Sequence, residues 1–117
     1  MTIERTAESF LPLKPRIFLM LLILVQEGPR HGYALKEEVL RRTDGRLNLG
    51  PGTLYRTIQS MLRDGLTEEV VRSRDSTADD ERRRTYQITA LGRQVVSAEA
   101  RRLQQLLEVA RDERLIS

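Results

Sequence analysis

Arginine is the side chain best placed to do chemistry in this sequence. Of the 20 basic residues, 18 are Arg and 2 are Lys. A planar guanidinium presents two parallel donors to a phosphate or to the acceptor edge of guanine. A GC-rich coding sequence would also enrich Arg, so the bias permits a nucleic-acid partner without requiring one. Other reactive types are scarce. The absence of cysteine removes disulfides, thiolate zinc sites and thiol nucleophiles. His31 is the one histidine, too few for a multi-histidine metal centre, so neither metal nor cofactor is expected. Gly50-Pro51-Gly52-Thr53 has the small residues of a phosphate-cradling loop. It lacks the Lys-Ser/Thr ending of a P-loop and the spacing of a dinucleotide fingerprint. No nucleophile, base and acid come together in the pattern, and the reading is not an enzyme.

Position gives the arginines their meaning. Arg56 and Arg63 are seven apart and share nearly one azimuth of a helix. Gly52, Thr53, Gln59 and Ser60 lie on the same side, while Leu54, Ile58, Met61 and Leu62 form an inward stripe. Tyr55 lies on the flank, suited either to core packing or to a DNA backbone contact. A second group, Arg72 and Arg74 with Arg82, Arg83 and Arg84, brackets a polar, acidic stretch. Residues 51–89 carry seven basic and seven acidic residues, so local net charge argues nothing by itself. An Arg/Gln/Ser helix face is also what solvent alone selects; the order of elements favours DNA.

The chain of 117 residues suits one compact domain plus a long helix. Its longest apolar run, Ile17 to Val25, is well short of the ~18–20 residues of a membrane span. No segment has a signal-peptide layout, and a cytoplasmic protein is expected. Pro15 suits the start of a first helix, which Gly28-Pro29 stops. A second helix runs from about Gly32 to Thr43, with Tyr33 expected in the core. Leu47-Asn48-Leu49 alternates like a very short strand. The third helix runs from Pro51 to Asp64 and stops at Gly65. Leu66–Arg74 and Arg83–Thr89 read as a hairpin with a long tip, with Tyr86 turned inward. Thr89 is an N-cap for a last helix from Ala90 to about Leu115. That helix is roughly 35–40 Å long and apolar over half its circumference.

Helix, helix, helix, ribbon and long helix, in that order, make a mainly α (α+β) chain with winged helix-turn-helix layout. The third helix of such a fold enters the major groove, and the ribbon reaches the flanking backbone. The expected division is an N-terminal arm (1–14), a DNA-binding domain (15–89) and a C-terminal dimerisation helix (90–117). A last helix that outreaches its domain buries its surplus stripe against another chain. Val95, Val96, Leu103, Leu106, Leu107 and Ala110 are the expected contacts, with Phe10, Leu11 and Leu13 of the arm.

Several segments resemble, in order, the PadR family of bacterial transcriptional regulators. They are His31-Gly32-Tyr33, Gly50-Pro51-Gly52-Thr53-Leu54-Tyr55-Arg56, Met61-Leu62-Arg63-Asp64-Gly65-Leu66 and Arg82-Arg83-Arg84-Thr85-Tyr86-Gln87-Ile88-Thr89. Leu91-Gly92-Arg93 and Ala98-Glu99-Ala100-Arg101-Arg102-Leu103 continue the series. The resemblance implies a homodimeric repressor of the short subtype acting on a near-palindromic operator and released by a small molecule of unidentified structure. It implies DNA contacts from Thr53, Tyr55 and Arg56, from Arg82 and Arg83 of the wing, and from His31 and Gly32 at a helix N-terminus, where phosphate is favoured. Thr67 departs from the family's usual apolar residue at its position. Lacking tryptophan, the chain cannot hold planar drugs between indoles as some family members do. The alternative is a winged-helix protein–protein interaction module that binds no DNA.

Overall fold

The computed structural model describes residues 6–70 and 84–117. Proline fits a helix's first turn because its φ is fixed and the N–H it lacks would be unpaired there. Pro15 accordingly opens α1 (Pro15–Glu27), which ends at Gly28 in a left-handed conformation, φ 79°. Met20, Leu21, Ile23 and Leu24 bury this helix at the centre of the core. A two-residue strand, β1 (Arg30–His31), leads directly into α2 (Gly32–Arg42), which adds Leu35 and Val39 to that core.

The expected strand at Leu47–Leu49 does not form. Thr43 closes α2 by donating its Oγ1–H to the Val39 carbonyl at 2.9 Å, and the same Oγ1 accepts the Leu47 N–H at 3.0 Å. That bond turns the chain, and Leu49 packs into the core from an irregular loop. α3 (Pro51–Arg63) follows and ends in a Schellman motif. Leu66 N–H bonds the Met61 carbonyl and Gly65 N–H the Leu62 carbonyl, with Gly65 at φ 75°.

β2 (Thr67–Glu69) and β3 (Thr85–Ile88) pair antiparallel, and β1 adds to the other side of β3. The sheet order is therefore β1-β3-β2. The third strand comes from Arg30–His31, a dipeptide too short to show any alternation. Thr67 is 3% exposed, and its Oγ1 has no hydrogen-bond partner among the described residues. The departure is absorbed by burying the hydroxyl with the methyl group, at a cost of about 1–3 kcal/mol. Tyr86 is buried as expected, and burial, followed by the nearby Glu69 charge, raises its phenol pKa.

α4 (Ala90–Asp112) starts at Thr89, whose Oγ1 accepts the Gly92 N–H at 3.0 Å. The same hydroxyl donates to the Gly65 carbonyl at 2.6 Å, which ties the start of α4 to the end of α3. Val95 and Val96 enter the core with α1, so these two belong to the protomer's own interior rather than to an outer stripe. Ala98 and Glu99 are buried as well, and from Gln104 to Val109 the helix is exposed. Its 23 residues rise about 35 Å, and the molecule extends 57 Å along its longest axis. None of the described helices is long and apolar enough to cross a membrane.

Candidate nucleic-acid interface

α3 has no acidic residue between Pro51 and Arg63. Thr57, Ile58 and Met61 fix its rotation by burial. The opposite side then presents Gly52, Arg56 and Arg63 to solvent, with Thr53, Gln59 and Ser60 half-buried beside them. The six residues picked from the spacing therefore share one surface. Arg56 folds back over the first turn, and its Nη2 reaches Thr53 Oγ1 at 3.4 Å. A Cβ on Gly52 would lie 3.2 Å from Arg56 Nη1, so glycine leaves room for that guanidinium.

Charge pairing among the described residues leaves Arg56 and Arg63 alone. Among the described residues, the salt bridges join Arg30 to Glu27, Arg41 and Arg42 to Glu38, Arg42 to Glu27, Arg84 to Glu69 and Arg102 to Glu99. None involves Arg56 or Arg63. Hydrogen bonds from Arg41 and then Arg42 hold the Glu38 carboxyl at a pKa of about 2. Those pairs occupy the end of α2, so the acids there neutralise their own neighbours rather than α3.

The structure corrects one tyrosine and leaves one of two alternatives for another. Tyr33, expected in the core, is 62% exposed, and Tyr55 at 63% exposed is not a core residue either. Tyr33 lies in the first turn of α2, where Leu35 and Val39 already fill the inward side. Lys36 Nζ sits 5.6 Å from the centre of its ring, a cation–π arrangement. Sequence reasoning missed Tyr33 as a surface residue; its one-turn spacing from Lys36 was the available signal.

His31 is the N-cap of α2, but its side chain makes no capping bond. Its Nδ1 lies 3.1 Å from Thr85 Oγ1, tying the ring to β3. Gly32 lets α2 approach α3 closely: a Cβ there would lie 2.9 Å from Ile58 Cδ1, which would have to shift. These two residues thus join the start of α2 to the sheet and to α3. Arg72, Arg74, Arg82 and Arg83 lie outside the described residues. Arg84 is described; it is exposed, with its Nε 3.6 Å from Glu69 Oε1.

The arm and the outer half of α4 complete the picture. Phe10, Leu11 and Leu13 are half-buried against the chain's own core. Leu13 N–H donates to Glu99 Oε2 at 2.6 Å, and Arg102 Nε donates to the other carboxylate oxygen. Glu99 is 1% exposed, and the Arg102 bond is the main cause of its lowered pKa. Sequence reasoning did not single out Glu99, although it falls on the apolar side of α4 with Val95 and Val96. Further along, Leu106, Leu107 and Val109 are 54%, 48% and 59% exposed, while Leu103 and Ala110 are half-buried. No group of three potential metal ligands occurs among the described residues.

Solved structures with this fold include a transcriptional regulator from Clostridium thermocellum. It is 18% identical with a TM-score of 0.65, over 83% of this chain and 87% of that one. A PadR-like transcription factor from Bacteroides fragilis is 21% identical, with a TM-score of 0.61 over 83% and 86% of the two chains. RosR of H. salinarum is 20% identical, with a TM-score of 0.60 over 92% and 99%. No curated protein matches the chain in sequence. The family model for transcriptional regulators of the PadR-like family matches residues 20–98, well over half of the chain, and the chain belongs to that family.

Proposed function

We propose that this chain is a homodimeric, sequence-specific DNA-binding repressor whose α3 reads the major groove. The observation that carries the reading is the outer surface of α3. It has two arginines one above the other, hydrogen-bonding side chains between them and no acid or described ion pair to neutralise them. Arg56 and Arg63 are suited to guanine or phosphate, Gln59 to adenine, and Thr53 and Ser60 to phosphate. Tyr55, Tyr33, His31 and Gly32 flank this surface as backbone contacts, and Arg72, Arg74, Arg82 and Arg83 serve the wing.

Residues 1–14 act as an arm, 15–89 as the DNA-binding domain and 90–117 as the pairing helix. Leu103, Leu106, Leu107 and Ala110 form the pairing stripe, joined by the exposed parts of Phe10, Leu11 and Leu13. Burying that stripe against a second copy removes apolar surface from water at about 25 cal/mol per Å². Two subunits then present two recognition helices to half-sites about one helical turn apart. Release by a small-molecule effector completes the repressor reading.

The test is a gel shift with the DNA upstream of the protein's own gene. A shift that weakens steeply with salt and discriminates against shuffled DNA is expected. No shift at low salt would favour an interaction module instead.

A further inference from the structure

The two flanks of α3 are built differently. On one, Tyr55 lies one turn before Ile58, whose Cδ1 shares the space beside Gly32 with Tyr86 of β3, so this is the sheet and wing side. On the other, Thr57 faces α1. Arg16 of α1 donates its Nε–H to Thr57 Oγ1 at 3.0 Å. Thr57 is 3% exposed, and its hydroxyl proton goes to the Thr53 carbonyl at 2.7 Å. The hydroxyl is therefore oriented with a lone pair toward Arg16. This chain of two bonds fixes the guanidinium beside the second turn of α3. Its two Nη groups have no hydrogen-bond acceptor or ion-pair partner among the described residues, although Arg16 is only half-buried.

We infer that Arg16 holds a DNA-backbone phosphate on the wall of the major groove opposite the wing. The inference rests on the DNA-binding reading of α3 and adds a contact that α3 and the wing do not provide. A helix in the major groove has a phosphate wall on each side. The wing serves one wall only. Arg16 brings a cation to the other, already ordered by Thr57, so little side-chain freedom is lost on binding. The paired Nη donors match a phosphate's oxygens. The contact carries no sequence information and sets how deeply and at what angle α3 sits.

The experiment is fluorescence anisotropy of the full chain across a salt series. The probes are a random-sequence duplex and the upstream duplex. Arg16→Gln is expected to weaken binding to both by the same factor, about eightfold per contact at 0.1 M salt. It should also lower the slope of log K against log salt by about 0.9 per subunit. Arg16→Lys should keep the slope, because the charge remains. A wild-type slope for Arg16→Gln, or an equal loss of slope for Arg16→Lys, overturns the contact. Phosphate ethylation interference on the wild-type protein gives an answer that needs no variant. Blocked binding from phosphates on both walls of each half-site is expected, and interference confined to the wing side overturns the inference. Wild-type protein that binds neither duplex overturns the DNA reading and this contact with it. Wild-type binding with an unaltered Arg16→Gln slope removes the contact alone.

Discussion

Gly92→Ala tests the joint that holds the base of the wing. A Cβ on Gly92 would lie 2.1 Å from the Leu66 carbonyl oxygen and 2.7 Å from Ile88 Cγ1. The first of these is backbone and cannot swing away. The start of α4 would have to lift from the α3–β2 corner. Lifting it strains Thr89, whose N–H and Oγ1 both bond Leu66 O, at 3.1 and 3.0 Å. Overpacking costs about 1–3 kcal/mol and a damaged N-cap about 1 more. Alanine's helix propensity returns about 1 kcal/mol. The net loss is about 2 kcal/mol, or about 8 °C in Tm for a chain of this size. Gly50→Ser is the paired control. Gly50 is also at a helix start, has φ −68°, and has no atom within 4 Å of its added Cβ. Serine there can cap α3, so stability should hold or rise by a few tenths of a kcal/mol. Thermal melts by circular dichroism read both. A Gly92→Ala variant that melts at or above the wild type would refute the close approach on which the reasoning depends.

Leu103→Glu with Leu106→Glu should convert a dimer to a monomer, because two charges would enter the buried stripe. Light scattering that still finds a dimer would place the interface elsewhere. Glu38 has its carboxyl lowered to about 2 by Arg41 and Arg42. Its contribution to stability should be complete above the unfolded carboxylate pKa of about 4.3 and fade as pH falls toward about 2. Urea midpoints should show a shallower acid-side loss for Glu38→Gln than for the wild type; equal slopes would deny the pairing. Glu99→Gln keeps an acceptor for Leu13 N–H but loses the charged bond from Arg102. Proteolysis should therefore cut the arm of this variant sooner than that of the wild type, and unchanged cleavage would mean that the charge does not hold the arm.

Local signals in the sequence reached most of the backbone. Pro15, Gly28, Gly65 and Thr89 mark ends where they act through one residue's own conformation or hydroxyl. The inward stripe of α3 is fixed by spacing alone, so its outer residues were legible too. What stayed hidden depends on distant partners. β1 is two residues long and exists because β3 has a free edge to pair with. Leu47–Leu49 alternates like a strand, but Thr43 bonds Leu47 first. Tyr33 reads as core by type, and only the prior filling of that side by Leu35 and Val39 leaves it outside. Val95 and Val96 look like the rest of the α4 stripe until α1 is packed against them. Glu99 and Arg16 are charged residues whose importance lies in what reaches them from far along the chain: the Leu13 amide and the Thr57 hydroxyl.

The most direct test of the central claim is a footprint of wild-type and Arg56→Ala protein on the upstream DNA. Two protected half-sites about one helical turn apart are expected. The variant should lose about 1–3 kcal/mol of affinity per base contact, confined to specific DNA. Wild-type affinity and an identical footprint for Arg56→Ala would contradict the claim.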